Sequence, residues 1–452
     1  MFGNPVGRAL VALRFRRPGT RAKRGCSRLP TPYRLERQIA RLPWRRKGNE
    51  VKDVQRRVCL LEGIRVLDLS RIIAGPVCSQ ILGDMGAEVI KVEQPGVGDD
   101  SRTWGPPFKN GESVYFFCIN RNKKSITVDM KDPRGKAIIR ALARRSDVLL
   151  ENFKPGTLAK LGLDWDTLRQ DNPRLIFCSV SGFGRTGPSA DRGGYDVIVQ
   201  AVGGLMGITG DPDGPPVKVG VAMTDICTAL YAHGAILAAL YARDRTGEGQ
   251  RIDVSLLETQ IAALINIASS YLNAGEVPRK WGTAHVNIVP YQAFRMQDGY
   301  MIIGAANDRL WVKLCEAIGL PEVGRDPKYA TNAERVAHRE EIVRLLEARL
   351  ATKTRKEWET ILAPTGIPCG PINRMDEVFA DPQVQHLQMV LEAEHPTAGT
   401  IRMVRNPVAF SRTPLDLRQV PPRLGEHTEE VLRNLLGYSA AEVDALRAAG
   451  VV

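Results

Sequence analysis

The sequence predicts an α/β protein, built on a doubly wound, mostly parallel sheet with a second, smaller α+β domain. Three observations carry that expectation. Short β-branched or apolar runs alternate with helical patterns between residues 64 and 180, and strands alternating with helices build open parallel sheets. Further on, Gln297-Asp298-Gly299 separates two strand-like runs, an Asp-Gly hairpin signal that opens a stretch of different texture. The chain is 452 residues long, more than a single core of roughly 250–300 residues accommodates.

Residues 64–69 form the first expected strand, followed by a helix over 78–85 that stops at Gly86. Residues 88–92 and 125–130 give the next strands. Asp132-Pro133 then opens a helix, because Asp caps free amides and Pro needs no donor in the first turn. Strands are expected again at 147–150 and 175–180. A Gly75-Pro76 turn stands where a dinucleotide site would carry G-x-G-x-x-G. Residues 226–242 lack Asp, Glu, Lys and Arg, but the run is about one turn short of a bilayer and rich in Ala, so it reads as a buried helix and no membrane span is expected. In the second region, 291–295 and 300–304 flank the hairpin turn, with helices expected over 309–318, 334–350 and 356–362. A strand over 400–404 and a helix over 428–436 follow.

The formal net charge of +13 suggests an acidic partner such as nucleic acid, until its distribution is considered. Residues 1–57 hold 17 Lys/Arg against 3 Asp/Glu, and the other 395 residues hold 46 against 47. The body is therefore near neutral, and no nucleic-acid partner is expected. The leader has no acid before Glu36, and residues 6–17 can form a basic amphipathic helix. Arg-rich, acid-poor amphipathic leaders read as mitochondrial targeting segments. The eight Cys form no C-x-x-C and no metal spacing with His, so free thiols and no metal site are expected.

Two places stand out for chemistry. Gly193-Gly194-Tyr195-Asp196 is followed by Gly203-Gly204, Gly207 and Gly210, a density that lets backbone approach a ligand but also marks an ordinary loop. Thr224-Asp225 precedes the apolar run, where an N-cap belongs. Capping alone accounts for most Asp in such a place. The functional alternative is that the helix's positive end keeps Asp225 ionised beside an anionic ligand.

Seven ordered blocks add to this. They are Leu61-Glu62-Gly63-Ile64-Arg65-Val66-Leu67-Asp68-Leu69, Ala74-Gly75-Pro76, residues 83–93, Asn120-Arg121-Asn122-Lys123-Lys124-Ser125, Glu151-Asn152-Phe153-Lys154-Pro155-Gly156, Thr246-Gly247-Glu248-Gly249-Gln250 and Gly366-Ile367-Pro368-Cys369-Gly370-Pro371. Together they resemble the class III CoA-transferase family, which includes formyl-CoA transferase and α-methylacyl-CoA racemase. Residues 98–108 and 281–294 are similar to a mitochondrial branch that takes succinyl-CoA as donor and dicarboxylates such as glutarate or hydroxymethylglutarate as acceptors.

The resemblance implies a large CoA-binding domain over 58–270 and 400–452, a small domain over 285–390, linkers at 271–284 and 391–399, and an interlinked homodimer. It implies an acyl-CoA and a dicarboxylic acid as substrates, no permanently bound cofactor, and a place in the mitochondrial matrix. The family's catalytic aspartate falls on Asp225. Its CoA contacts fall on Ile73, Gln94, Met130, Lys131, Asn152, Phe153, Lys160 and Tyr195. Ile73 and Gln94 replace a Gln and an Arg of formyl-CoA transferases, and Lys160 replaces an Arg, keeping charge without the bidentate fork. Without the resemblance, Met130 and Phe153 would read as core, and Lys131 and Lys160 as solvated charges. Arg102, with Trp104 beside it, is a candidate for the distal carboxylate of a dicarboxylate, since guanidinium binds carboxylate through two parallel bonds; the alternative is a surface Arg paired with Asp99 or Asp100. His285 is a second candidate. The alternative activity is α-methylacyl-CoA racemisation, which in this family pairs the aspartate with a His. The matching residue here is Tyr195, and a phenol ionising near ~10 is a poor base at neutral pH.

Overall fold

The computed structural model describes residues 59–452; the expected leader lies outside the described residues. Six strands form the central sheet: β1 (Arg65–Asp68), β2 (Glu88–Glu93), β3 (Lys123–Thr127), β4 (Val148–Glu151), β5 (Ile176–Ser181) and β6 (Arg251–Ser255). Their order is β3-β2-β1-β4-β5-β6, and every pairing is parallel. The order reverses between β1 and β4. Sheets of this kind hold ligands outside the carboxyl ends of the strands at that reversal.

Successive residues of each strand face opposite sides, so a sheet covered on both faces needs near-continuous apolar strands. Leu67, Ile90, Ile126, Leu149 and Phe177 pack on one side with α2 (Pro133–Arg144) and the C-terminal Val431, Leu432, Val443 and Leu446. Val66, Val89, Val148, Leu150 and Cys178 pack on the other with α1 (Ala74–Asp84) and α4 (Met223–Thr246). Between α2 and α4 runs α3 (Asp196–Val202), and β6 leads into α5 (Leu256–Ala262). Asp132 caps α2 by accepting from Arg134 N, with Pro133 in the first turn, as its sequence predicts. α1 starts four residues earlier than expected, because Gly75 and Pro76 lie inside its first turn, where a missing donor costs nothing. α4 passes the length and apolarity test for a membrane span, yet its Ala229, Ala232, Ile236 and Ala239 are buried in the core. Its Arg243 pairs with Asp147 at 2.9 Å.

A second, antiparallel sheet holds β7 (Tyr291–Met296), β8 (Gly299–Gly304) and β9 (Cys369–Pro371), in the order β9-β8-β7. Its core gathers Phe294, Met301, Trp311, Leu346 and Trp358. The helix expected over 334–350 is two helices, Asn332–Ala337 and Arg339–Leu350. Before the break at His338, the fully buried Arg335 donates to the carbonyls of Val289, Tyr329 and Ala330 and to Asp308, which anchors the first helix separately. Residues 391–399, expected as a linker, instead make most of a hairpin of β10 (Val390–His395) and β11 (Gly399–Val404). Its Ala398, Ile401 and Met403 pack on Phe116 and Phe117. The last segment runs along the open edge of β3: His427 N donates to Ser125 O, Thr127 N to the Thr428 hydroxyl, and Asp129 N to Val451 O.

Candidate active site

Beyond β5 the backbone crosses itself. A Cβ on Gly194 would lie 2.4 Å from Gly182 Cα, and one on Gly182 would lie 2.6 Å from Gly194 Cα. Only glycine permits that approach, which gives the glycine-rich segment a structural reason. The crossing sets Tyr195 and Asp196 at the start of α3. Tyr195 is 62% exposed.

Asp225 is not the cap of α4. Ala222 occupies the N-cap position with no side-chain bond, and Asp225 is the third helical residue. The cap comes from α3. Asp196 Oδ1 accepts from Thr224 N at 2.8 Å and from Asp225 N at 3.4 Å, while its Oδ2 accepts from Gln200 Nε2 at 2.6 Å. The buried Gln200 in turn accepts from Val219 N at 2.9 Å. The Thr224 hydroxyl donates to Gln260 Oε1 of α5 at 2.7 Å, and the Thr228 hydroxyl to Thr224 O at 2.7 Å. The backbone around Asp225 is thus fixed from three helices. Among the described residues, no hydrogen bond or ion pair engages the Asp225 carboxylate. Burial, and then the negative charge of Asp196, push its pKa up to about 7. The helix end was expected to keep it ionised. That effect supplies about 0.3–2 kcal/mol, less than the roughly 4 kcal/mol that a rise of three units represents.

Tyr115, which the sequence reading missed, lies within electrostatic reach of Asp225 and Asp196. It lies on the short helix Val114–Phe117, capped by Ser113, whose hydroxyl also donates to Trp104 O at 2.6 Å. Burial, Cys118, Asp225 and Asp196 together push its phenol up to about 12. The Trp104 ring meets the Tyr115 ring edge-on at 5.0 Å, so Trp104 reaches the site through Tyr115. The one available signal was Ser113 ahead of Val-Tyr-Phe-Phe, a helix start beside the Trp104 loop.

The expected CoA residues follow the carboxyl ends of the central strands. Ile73 is buried at the start of α1, and Gln94 is exposed directly after β2. Met130 and Phe153 pack partly on the core, as a plain core reading has it, while Lys131 and Lys160 are exposed. Asn152 bridges the sheet's reversal: Arg71 N donates to its Oδ1 at 2.8 Å, and its Nδ2 donates to Arg71 O at 2.7 Å. The Arg71 guanidinium stacks on Phe153 at 5.4 Å, and Phe153 N donates to Glu151 at 2.8 Å.

Arg102 differs from expectation. Its Nε and Nη2 each donate to Glu93 at 2.7 Å, so the fork expected to receive a substrate carboxylate already holds a carboxylate of the protein. The buried end of β2 supplies that partner, in place of the Asp99 or Asp100 of its own loop. His285 is engaged within its own loop, accepting from Asn287 N at 3.0 Å and packing on Tyr291 at 5.5 Å. Among the described residues the seven cysteines are free thiols, and no group of three His, Cys, Asp or Glu could hold a metal.

Comparison with known proteins gives the family. Residues 61–428 match the family model described as CoA-transferase family III. The chain is 48% identical to the succinyl-CoA:glutarate CoA-transferase of Mus musculus over 392 residues, covering 87% of this chain and 90% of the mouse protein. It is 46% identical to the succinate–glutarate CoA-transferase of Agrobacterium fabrum, covering 85% and 97%. A crystal structure of a CAIB/BAIF family protein from Brucella suis superposes with a TM-score of 0.75 at 44% identity, over 83% of this chain and 99% of that one. The chain belongs to the class III CoA-transferases.

Proposed function

We propose that the protein moves CoA from succinyl-CoA to a dicarboxylic acid such as glutarate or hydroxymethylglutarate, with Asp225 as the acyl carrier. The relatives named above supply the substrate class. The observation that carries the mechanism is an unpaired, desolvated carboxylate in a first helical turn whose backbone is fixed from three helices. Asp225 attacks the thioester carbonyl, the C–S bond breaks, and CoA thiolate leaves a mixed anhydride. The thiolate then attacks the aspartyl carbonyl, releasing succinate and forming an aspartyl-CoA thioester. The acceptor carboxylate repeats these steps in reverse. A covalent carrier divides one difficult exchange into easier steps, and a dry site protects the anhydride from water. Peptide mapping after succinyl-CoA and hydroxylamine treatment should mark Asp225, and Asp225→Ala should abolish transfer with the fold intact. Transfer by the Ala variant at a substantial rate defeats the covalent reading.

The CoA thioester is read as lying along the carboxyl edge of the sheet, against Ile73, Gln94, Met130, Lys131, Asn152, Phe153, Lys160 and Tyr195, with Trp104 and His285 toward the acyl end. The edge at the sheet's reversal supports that path. The larger unit would be the parallel sheet with its two covering layers, and the smaller one the antiparallel sheet around Trp311. The assembly is read as a homodimer. None of the residues of α6 (Ile265–Ala274) is buried, and Leu272 is 78% exposed. Tyr231 and Tyr241 of α4 are exposed as well. Large apolar faces of this kind mark protein contacts, and a second copy of the chain is the partner that the family's architecture implies. The leader is read as directing the chain to the mitochondrial matrix.

A further inference from the structure

The helix that carries Asp225 cannot cap itself. Its N-cap residue is Ala222, and the acceptor for its free amides comes from Asp196, 28 residues earlier in the chain. That acceptor is itself braced. Gln200, one turn further along α3, donates to Asp196 Oδ2 and accepts from Val219 N in the segment that leads into α4. An Asn side chain, of the same length and with an amide oxygen, would present a neutral acceptor to those amides. The carboxylate adds something a neutral cap lacks: a fixed negative charge, with Oδ1 3.4 Å from the Asp225 amide nitrogen. Within electrostatic reach of Asp225 are Asp196 from α3 and Tyr115 from the helix Val114–Phe117; Cys227, on the same helix as Asp225, is within reach of Asp196, and Cys118 within reach of Tyr115. Among the described residues no cation pairs with either aspartate.

We propose that Asp196 is a positioning residue for Asp225: it fixes the first turn of α4 through the Thr224 and Asp225 amides, and its charge favours conversion of the facing carboxylate into a neutral acyl group. The inference rests on the reading of Asp225 as acyl carrier. A like charge disfavours the carboxylate against every neutral form of the same group. The aspartyl-CoA thioester is neutral at that side chain, as is the protonated acid. One electrostatic effect therefore governs both the acid limb of the pH profile and the balance between E–COO⁻ plus succinyl-CoA and E–CO–SCoA plus succinate.

Asp196→Asn keeps an acceptor for Thr224 N and removes the charge. The acid limb of kcat/KM for succinyl-CoA should move down by on the order of one pH unit. At pH 8 and a fixed ratio of succinyl-CoA to succinate, the ratio of acylated to free enzyme in the acid-quenched protein should fall about tenfold, which is the same free energy as one pH unit. Asp196→Ser, neutral but shorter, should show the same two changes, so that poor folding of one variant does not decide the result. Asp196→Ala should add a loss of thermal stability. If the Asn and Ser variants both keep the parent's acid limb and the parent's acylated fraction, Asp196 is a cap and nothing more, and the proposal is overturned. An adduct in the parent that maps away from Asp225 overturns the Asp225 reading itself, which separates the two failures.

Discussion

Arg102 and Glu93 form a two-point ion pair, with Nε and Nη2 each 2.7 Å from a carboxylate oxygen and the guanidinium 3.7 Å above the Phe116 ring. Arg102 Nη2 also donates to Pro422 O at 3.1 Å. One side chain thus joins the end of β2, the Trp104 loop, the Tyr115 helix and the C-terminal segment. Burial raises the Glu93 pKa, but Arg102, with Lys91 and Ser125, outweighs it and holds the carboxyl below its ordinary range. The pair's contribution is complete above the usual glutamate range and is lost as pH falls through the lower folded value. Arg102→Ala leaves Glu93, 1% exposed as a side chain, without its partner. Chemical denaturation at pH 7 should report a loss of about 3–5 kcal/mol. Transfer to glutarate and to a monocarboxylate of similar length should fall in equal proportion; a selective loss of glutarate transfer would restore the receptor role for Arg102.

Asp225 offers a test of opposite sign. Its folded pKa, near 7, lies above the value of an unfolded Asp. Between about pH 4 and 7 the folded chain holds a proton that the unfolded chain has lost, so stability falls as pH rises through that window. Asp225→Asn removes the effect. The variant should be inactive yet more stable than the parent by roughly 2–4 kcal/mol at pH 8, with the difference vanishing near pH 4. Parallel stability curves across that range would show that the carboxylate is not strained in the folded protein.

Asn152 ties the ends of β1 and β4 by two bonds to the Arg71 backbone. Asn152→Ala should loosen the edge proposed for CoA by about 1–2 kcal/mol. That corresponds to a rise of about five- to thirtyfold in KM for succinyl-CoA, with KM for the acceptor acid unchanged. Equal changes in both constants would place Asn152 outside the CoA path.

The leader can be tested apart from the chemistry. Residues 1–57 fused to a fluorescent reporter should carry it to mitochondria, and Arg8, Arg14, Arg16 and Arg17 changed together to Gln should leave it in the cytosol. A reporter spread through the cytosol with the intact leader would remove the targeting proposal and leave the reaction untouched.

Five of the six central strands were legible as short β-branched or apolar runs, the third only from Ser125 onward because Lys123 and Lys124 at its start do not look like strand core. β6 was not, because Arg251-Ile252-Asp253-Val254-Ser255 lies at an edge and is only partly apolar. Asp225 was singled out as the proposed acyl carrier through the ordered motif blocks, whereas its surroundings were not legible. A cap supplied across 28 residues leaves no periodic mark, and Asp196 looked like the end of a glycine loop. Tyr115 was hidden for a similar reason: its approach to Asp225 is made by folding, not by spacing. The ion pair of Arg102 with Glu93 was not foreseen, since Glu93 lies just past the strand expected over 88–92 and nine residues from Arg102.

The strip of chain laid along β3 has a consequence for synthesis. Ser125 and His427 bond to one another although 302 residues separate them. A ribosome adding 5–20 residues each second takes roughly 15–60 s to span that gap. Throughout that interval the nascent sheet carries a bare row of amides and carbonyls at β3, an edge able to pair with any other emerging strand. Truncation within the last thirty residues would make that interval permanent, so a shortened chain should collect in aggregates and on chaperones even though every residue proposed for the reaction is present.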